Sequence, residues 1–154
     1  MGTVYSVQKT KWDQNDPSEM IKPNEKGGRV RVAYGLYEAS SLAADEVIEM
    51  FNLPNGARIL SGELVHDALG SSTTLSVGHA AYTSSADATV ALDVDEFKAA
   101  AASTSITTVA IAATSALGKN TVVDANKDGM PVTVVLAGAA GTGTIELTML
   151  YVVD

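Results

Sequence analysis

The chain has 154 residues, of which 46% are hydrophobic and 5% aromatic, and its net charge is −8. That length allows one domain with a real core and is too short for two ordinary ones. The absence of cysteine excludes disulfides and thiolate metal sites. No run of 18 apolar residues and no apolar leader is present, so we expect a soluble protein without a secretory signal.

The charges are divided unevenly along the chain. Residues 1–31 hold six of the ten basic residues and four of the eighteen acidic ones, which gives +2 there and −10 in the remainder. Contact with nucleic-acid phosphates needs clustered Lys and Arg. The acidic body therefore predicts no nucleic-acid partner, and it is compatible with docking on a basic protein surface.

Small and β-branched residues dominate the composition, which predicts a thin core with few large rings. Burial contributes about 25 cal/mol per Å² of apolar area, so a core of Val and Ala is stabilised weakly per residue. Association into a homo-oligomer would supply further buried surface.

Residues 1–28 contain Pro17, Pro23 and the Gly27–Gly28 pair and show no sustained apolar period. This pattern predicts an extended N-terminal arm, followed by a β-sandwich domain at residues 29–154. The arm has a net charge of zero, so its attraction to a partner cannot be mainly electrostatic.

The arm contains the only tryptophan, Trp12. Burying a large ring offsets the entropy of ordering the segment, either on its own domain or on a neighbouring subunit. Trp12, Met20 and Ile21 are the predicted partner-binding residues.

The first strand is predicted at Arg29–Tyr37, where apolar side chains fall on alternate positions. Asp45–Asn52 is apolar on both faces and ends before Pro54, which favours a second strand, although its helix-forming residues leave a helix as the alternative.

The stretch Leu53–Val77 organises the chain. Asn55–Gly56 predicts a tight turn, because both residues tolerate positive φ. The apolar register then changes sides, which makes Gly62 a bulge or a site of close backbone approach. A turn at residues 70–72 leads into a half-buried strand at Thr73–Val77.

A loop is expected at His79–Asp87 and a short strand at Thr89–Leu92. Asp93 and Glu96 then have the spacing of a capping box, which predicts one short helix ending near Ser103.

The remaining chain alternates repeatedly between apolar and polar residues. Several strands separated by Gly, Ser and Asn turns are typical of an all-β antiparallel sandwich or barrel. The predicted strands are Ile106–Ala113, Thr121–Asp124, Pro131–Ala137 and Thr144–Asp154.

Asp124–Gly129 has the spacing of the first half of a calcium-binding EF-hand loop. The twelfth position would be Val135, which offers no oxygen ligand, and Lys127 places a positive charge inside the loop. A turn built on Asx-type residues is the favoured interpretation.

No catalytic, cofactor or metal site is predicted elsewhere. His66 and His79 are the only histidines, so a zinc site would have to recruit carboxylates such as Asp67 or Glu63. The Gly-rich run at residues 138–143 precedes a strand instead of opening a helix, unlike a phosphate-binding loop.

The segments LPNGARILSGELV, ALGSSTTLSVG and TIELTMLYVV, in this order, make Asp45–Asp154 similar to the head-decoration (cement) proteins of tailed bacteriophages. The arm is not covered. The resemblance implies a jelly-roll-like β-sandwich that binds the outside of an assembled capsid, commonly as a homotrimer, without chemistry or cofactor. Its partners would be the major capsid protein and itself, with no membrane partner.

The same resemblance implies a virion protein on the capsid exterior, synthesised in the host cytoplasm. The alternative is a glycan- or receptor-binding module of a phage tail or fibre. One Trp and a few Tyr are available to stack on sugars, which counts against that alternative. An enzyme on a β-sandwich is the least favoured reading.

Overall fold

In a computed structural model, the chain is described at residues 5–13, 20, 22 and 25–153. One short α-helix, a 3-10 helix at Ser115–Leu117 and ten strands occupy this part. The α-helix and the strands are α1 (Val7–Asp13), β1 (Val30–Leu42), β2 (Glu46–Leu53), β3 (Arg58–His66), β4 (Thr74–His79), β5 (Tyr82–Thr83), β6 (Thr89–Val90), β7 (Asp93–Ala102), β8 (Thr107–Ile111), β9 (Met130–Ala137) and β10 (Gly141–Val152).

Eight strands form two four-stranded sheets. Sheet I has the order β1-β10-β3-β8 and sheet II the order β2-β9-β4-β7, while β5 and β6 form a separate ribbon. Every pairing is antiparallel. Successive strands lie in different sheets, except that β4 and β7, which are joined through the β5–β6 ribbon, are neighbours in sheet II; this is the connectivity of a jelly roll. The predicted all-β sandwich is therefore confirmed.

The core lies between the two sheets and consists mainly of aliphatic side chains. Phe97 is the largest of the fully buried side chains. Others are Leu53, Ile59, Leu64, Leu75, Ile111, Leu136, Ile145, Leu147 and Met149.

The predicted change of register in β3 is present. Tyr151 pairs with Ile59 and Leu150 with Ser61, so Leu60 is the extra residue of a bulge. Gly62 is the site of close approach, because a Cβ atom there would lie 2.6 Å from the carbonyl oxygen of Thr148.

The predicted turn at Asn55–Gly56 is also present. Gly56 has a φ of 78°, and the backbone N–H of Ala57 donates to the carbonyl of Pro54 at 3.1 Å. Because β2 and β3 belong to different sheets, this turn carries the chain from one layer to the other.

The helix predicted after Asp93 is wrong. Residues Asp93–Ala102 form strand β7, which pairs with β4, and Phe97 from this strand is completely buried. The carboxylate of Asp93 accepts from the backbone N–H of Asp95 within the strand. Tertiary pairing thus overrides the helix propensity of the alanine run.

Two smaller predictions also change. The short strand expected at Thr121–Asp124 is reduced to one bridge between Val122 and Arg58. In the arm, Val7–Asp13 is helical, so the chain is not extended there.

Candidate interaction surface

Strand β1 lies at the edge of sheet I and turns its larger apolar side chains to solvent. Val30 and Val32 are each 61% exposed, Tyr34 is 55% exposed and Leu36 is 53% exposed. We call these four residues, with Leu150 of β10, the apolar stripe. Isolated exposed hydrophobic residues are ordinary, but contiguous ones on the order of several hundred Å² mark interaction surfaces.

The inner face of β1 explains this orientation. Its inward positions include Ala33, Gly35 and Ala39, of which Gly35 and Ala39 are buried. A Cβ atom on Gly35 would lie 2.9 Å from the carbonyl oxygen of Met50 in β2. Since the strands are this close, no side chain fits at position 35, and the opposite row with Val32, Tyr34 and Leu36 points outwards.

The apolar stripe continues across the outer face of sheet I. Val32 pairs with Leu150, and Leu150 pairs with Ser61 of β3. A shallow depression of about 320 Å³ lies beside Leu150. It is lined by Ser61, Gly62, Glu63, Ala110, Thr148 and Leu150.

The same outer face is acidic. It carries Glu38, Glu63 and Glu146, and Arg58, at the start of β3, is the one Lys or Arg among its outward positions; these positions are 30, 32, 34, 36, 38, 58, 61, 63, 65, 108, 110, 144, 146, 148, 150 and 152. The hydroxyl of Tyr34 donates to Oε2 of Glu146 at 3.0 Å. Partial burial raises the pKa of Tyr34, and this hydrogen bond raises it further.

The predicted partner-binding residues are only partly placed. Met20 is 64% exposed, and Trp12 lies within α1. The side chain of Trp12 and the whole of Ile21 lie outside the described residues, so the structure does not bring the three together.

Glu25 connects the arm to the sandwich. Its Oε1 atom accepts from Nε2 of Gln8 at 3.4 Å and lies 3.6 Å from a guanidinium nitrogen of Arg58, the first residue of β3. The backbone N–H of Lys22 donates to Oε2 of Glu25, and this is the main reason why the pKa of Glu25 is lowered.

The two histidines belong to separate local networks. Nδ1 of His66 lies 2.8 Å from the carbonyl oxygen of Asp67, whereas Nε2 of His79 lies 3.0 Å from Oε2 of Glu96. Within the described part of the chain, no group of three or more His, Asp or Glu side chains is arranged to hold a metal ion.

The Asp124–Gly129 loop is closed by its own turn. Oδ1 of Asn126 accepts from the backbone N–H of Asp128 at 2.9 Å, as in an Asx turn. The carboxylate of Asp124 accepts from the hydroxyl of Ser85 in another loop.

Lys98 is a buried cation on β7, the edge strand of sheet II. Its Nζ donates to the carbonyl oxygens of Leu75 at 2.8 Å and of Ala99 at 3.0 Å, beside a bulge between β4 and β7. Burial lowers its pKa. Since both acceptors belong to the same sheet, Lys98 stabilises the pairing of β4 and β7 and does not contribute to an interaction surface.

Sequence reasoning missed the apolar stripe as a surface, because alternation alone does not say which face is inside. A signal was available in β1, where the positions between the large apolar residues include Ala33 and Gly35. A strand whose inner side is small can lie very close to its neighbour.

The architecture and this outer face define a small jelly-roll β-sandwich with an exposed apolar and acidic sheet. No helix in the part that the structure describes has the length and apolarity needed to cross a membrane.

Three of the solved structures similar to this chain are phage capsids. A chain of the Ralstonia phage GP4 capsid has a TM-score of 0.62 and 25% identity, over 82% of this chain and 86% of that one. A chain of the cyanophage Pam1 capsid asymmetric unit has a TM-score of 0.59 and 20% identity, again over 82% and 86%.

A chain of the acid-stable capsid of Helicobacter pylori bacteriophage KHP30 shares the fold at a TM-score of 0.51 and 17% identity, over 80% of this chain and 87% of that one. No protein-family model and no curated protein matches. The similarity relates the chain to phage capsid proteins and supports a structural role in a virion.

Proposed function

We propose that this protein is a capsid decoration (cement) protein, which binds the outer surface of an assembled phage capsid and stabilises it. The observation that carries the proposal is the match in length as well as fold. Each of the three capsid chains is covered over 86–87% of its length, and this chain is covered over 80–82% of its own. The counterparts are therefore small, separate sandwich chains within phage capsids.

The completeness of the sandwich supports an accessory role. Both sheets have four strands and share one continuous core, so the domain can fold before it meets a shell. What it exposes is an apolar stripe on an edge strand, suited to a protein partner. A structural role without catalysis follows, with the major capsid protein as partner and the capsid exterior as location.

We further propose that the protein acts as a homo-oligomer, most simply a trimer, and that residues 1–28 form an arm separate from the sandwich domain. The exposed side chain of Met20 is available for contact with a neighbouring subunit or the capsid. Trp12 and Ile21 complete the predicted anchor, because apolar burial would order an arm of zero net charge.

The test is co-sedimentation with capsids of the phage that encodes this chain, stripped of the protein and then incubated with it. Saturable binding at a fixed ratio to the major capsid protein, with capsids that resist heat better, is the expected result. Binding to host cells or glycans with no binding to capsids would overturn the proposal and favour a receptor-binding module of a tail or fibre.

A further inference from the structure

We propose that strand β1 of one subunit pairs antiparallel with β1 of a second copy of this chain, so that sheet I continues from one subunit into the other. The contact has two-fold symmetry and therefore cannot close a ring of three. This inference rests on the proposed function, since it supplies the contact that joins subunits of neighbouring trimers on a shell.

Strand β1 is a long edge strand with one open side. It has 13 residues and pairs with β10 alone among the described strands. It contains no proline, and its register shift lies near its end, between Ala39 and Leu42. Proteins usually protect such an edge with proline, a bulge or charged side chains, because its unpaired N–H and C=O groups can pair with another chain. The middle of β1, residues 32–37, has none of these devices.

The apolar row of β1 matches itself when two copies run antiparallel. With Tyr34 opposite Tyr34 of the second copy, Val32 faces Leu36, and these side chains share the outer face of the joined sheet. The apolar residues of this row are 53–61% exposed in a single subunit. Pairing removes that apolar area from water and satisfies backbone groups of both copies, as when an extended strand adds to a sheet edge.

Length favours β1 over the other edges of a second copy. The remaining edge strands are β2, β7 and β8, and all three are shorter than β1. β8, at the opposite edge of sheet I, has five residues and no charged side chain. Pairing with β8 would leave most of β1 uncovered, whereas a second β1 covers its whole length.

Exposed charges on this side of the sandwich are divided between two ends. β2 follows β1 after residues 43–45 and runs back beneath it, with Met50 against Gly35. On one side of this contact lie Arg29 and Arg31, and no ion pair or hydrogen bond joins either guanidinium to another described residue. On the other side lie the exposed acidic residues of the two strands and their connection, which are Glu38, Asp45, Glu46 and Glu49.

Antiparallel pairing brings the basic end of each copy beside the acidic end of the other. Arg31 belongs to the same row as Ala33 and Gly35, which faces sheet II, so it lies on the side of β1 from which Glu49 of the second copy can be reached. Symmetry repeats this match, so each subunit supplies both halves of the complementary surface. A parallel arrangement would instead place like charges together. Charge therefore selects a second copy as the occupant and fixes its direction.

Disulfide trapping tests the contact directly, because the natural chain contains no cysteine. Purified full-length Tyr34→Cys protein, checked for folding by circular dichroism, is oxidised in the absence of capsids. We expect a disulfide-linked pair of chains on a non-reducing gel. The matched control is Ile106→Cys beside β8, where the natural side chain is 75% exposed and lies outside the proposed contact. Equal trapping of the two variants, or none of Tyr34→Cys, would overturn the inference.

The charges are tested in the Tyr34→Cys protein. Adding Arg31→Glu should slow trapping at least about tenfold, because the pair forms twice in the contact and reversal turns attraction into repulsion. Adding Glu49→Arg as well should restore most of the rate. Lys119→Glu makes the same charge change at an exposed position elsewhere and should leave the rate unchanged.

Similar losses in the Arg31→Glu and Lys119→Glu proteins, or no recovery with Glu49→Arg, would also contradict the inference. Neither assay contains capsids, so the two proposals can fail separately. Trapped pairs without capsid binding would refute only the proposed function, and capsid binding without trapped pairs would refute only the β1 contact.

Discussion

The imidazole of His79 donates in two directions, with Nε2 lying 3.0 Å from Oε2 of Glu96 and Nδ1 lying 2.8 Å from the carbonyl oxygen of Ala80. A carbonyl and a carboxylate only accept hydrogen bonds, so both contacts are made at once only by the protonated ring. The hydrogen bond to Glu96 is the main reason why the pKa of His79 is raised, with further support from Ala80 and the charge of Asp93, against the opposing effect of burial.

From the His79–Glu96 pair we expect the free energy of unfolding to fall as the pH rises. A group whose pKa is higher in the folded state contributes fully below its unfolded pKa and loses that contribution as the pH rises through the folded pKa. We expect the free energy of unfolding to drop by about 1 kcal/mol between roughly pH 6 and pH 8, the size of one charge-assisted hydrogen bond that is partly open to solvent.

Urea denaturation at the two pH values measures the effect, with Glu96→Gln as the control. The two proteins differ only at residue 96, so the difference between their pH dependences isolates the contribution of the His79–Glu96 pair. A variant that loses as much stability as the natural protein would show that the pair does not determine the pH dependence.

Phe97→Ala tests the assignment of residues 93–102 to a buried strand. Phe97 is completely buried, and a Cβ atom at Gly118 would lie 2.6 Å from its ring. Truncation should lower the free energy of unfolding by about 3–5 kcal/mol. Val94→Ala on the same strand, where the side chain is 38% exposed, should cost under about 1 kcal/mol. Similar losses for both variants in chemical denaturation would contradict the strand assignment.

Removing residues 1–26 tests the proposed arm. The deletion takes away the Glu25 contact with Arg58, a partly exposed ion pair worth about 0–1 kcal/mol, so the sandwich should stay folded. The dissociation constant of the trimer, or that of the complex with the capsid, should rise by more than about tenfold, because an anchoring Trp contributes a few kcal/mol.

Trp12→Ala is the companion variant and should reproduce most of that loss with the rest of the arm in place. Sedimentation equilibrium measures dissociation, and co-sedimentation measures binding to capsids. Unchanged assembly in both proteins would remove Trp12 and the arm from the interaction.

Calcium should not change the thermal stability. In the Asp124–Gly129 loop, the Asp124 carboxylate is engaged by Ser85 and Asn126 caps the backbone of Asp128, so the turn is formed by the chain's own hydrogen bonds. We expect equal melting temperatures in EDTA and in millimolar calcium. A rise of several degrees with calcium, lost in Asp124→Asn, would restore this loop as a cation site.

Strict alternation predicted the strands at Pro131–Ala137 and Thr144–Asp154, and both are present as β9 and β10 with shifted ends. The turn at Asn55–Gly56 was equally readable, because Gly56 needs a positive φ. These features depend on neighbours in sequence, so local chemistry is sufficient to specify them.

Long-range packing decided the rest. Residues 93–102 have helix-forming side chains but become β7, because β4 pairs with them and Phe97 enters the core. The strand β1 could be predicted from the sequence, but which of its two faces is exposed could not. Gly35 lies so close to Met50 that no side chain fits at this position, and this tertiary contact turns the opposite row, with the apolar stripe, towards solvent. Periodicity specifies that two faces differ, whereas only the distance to the opposing sheet determines which face is buried.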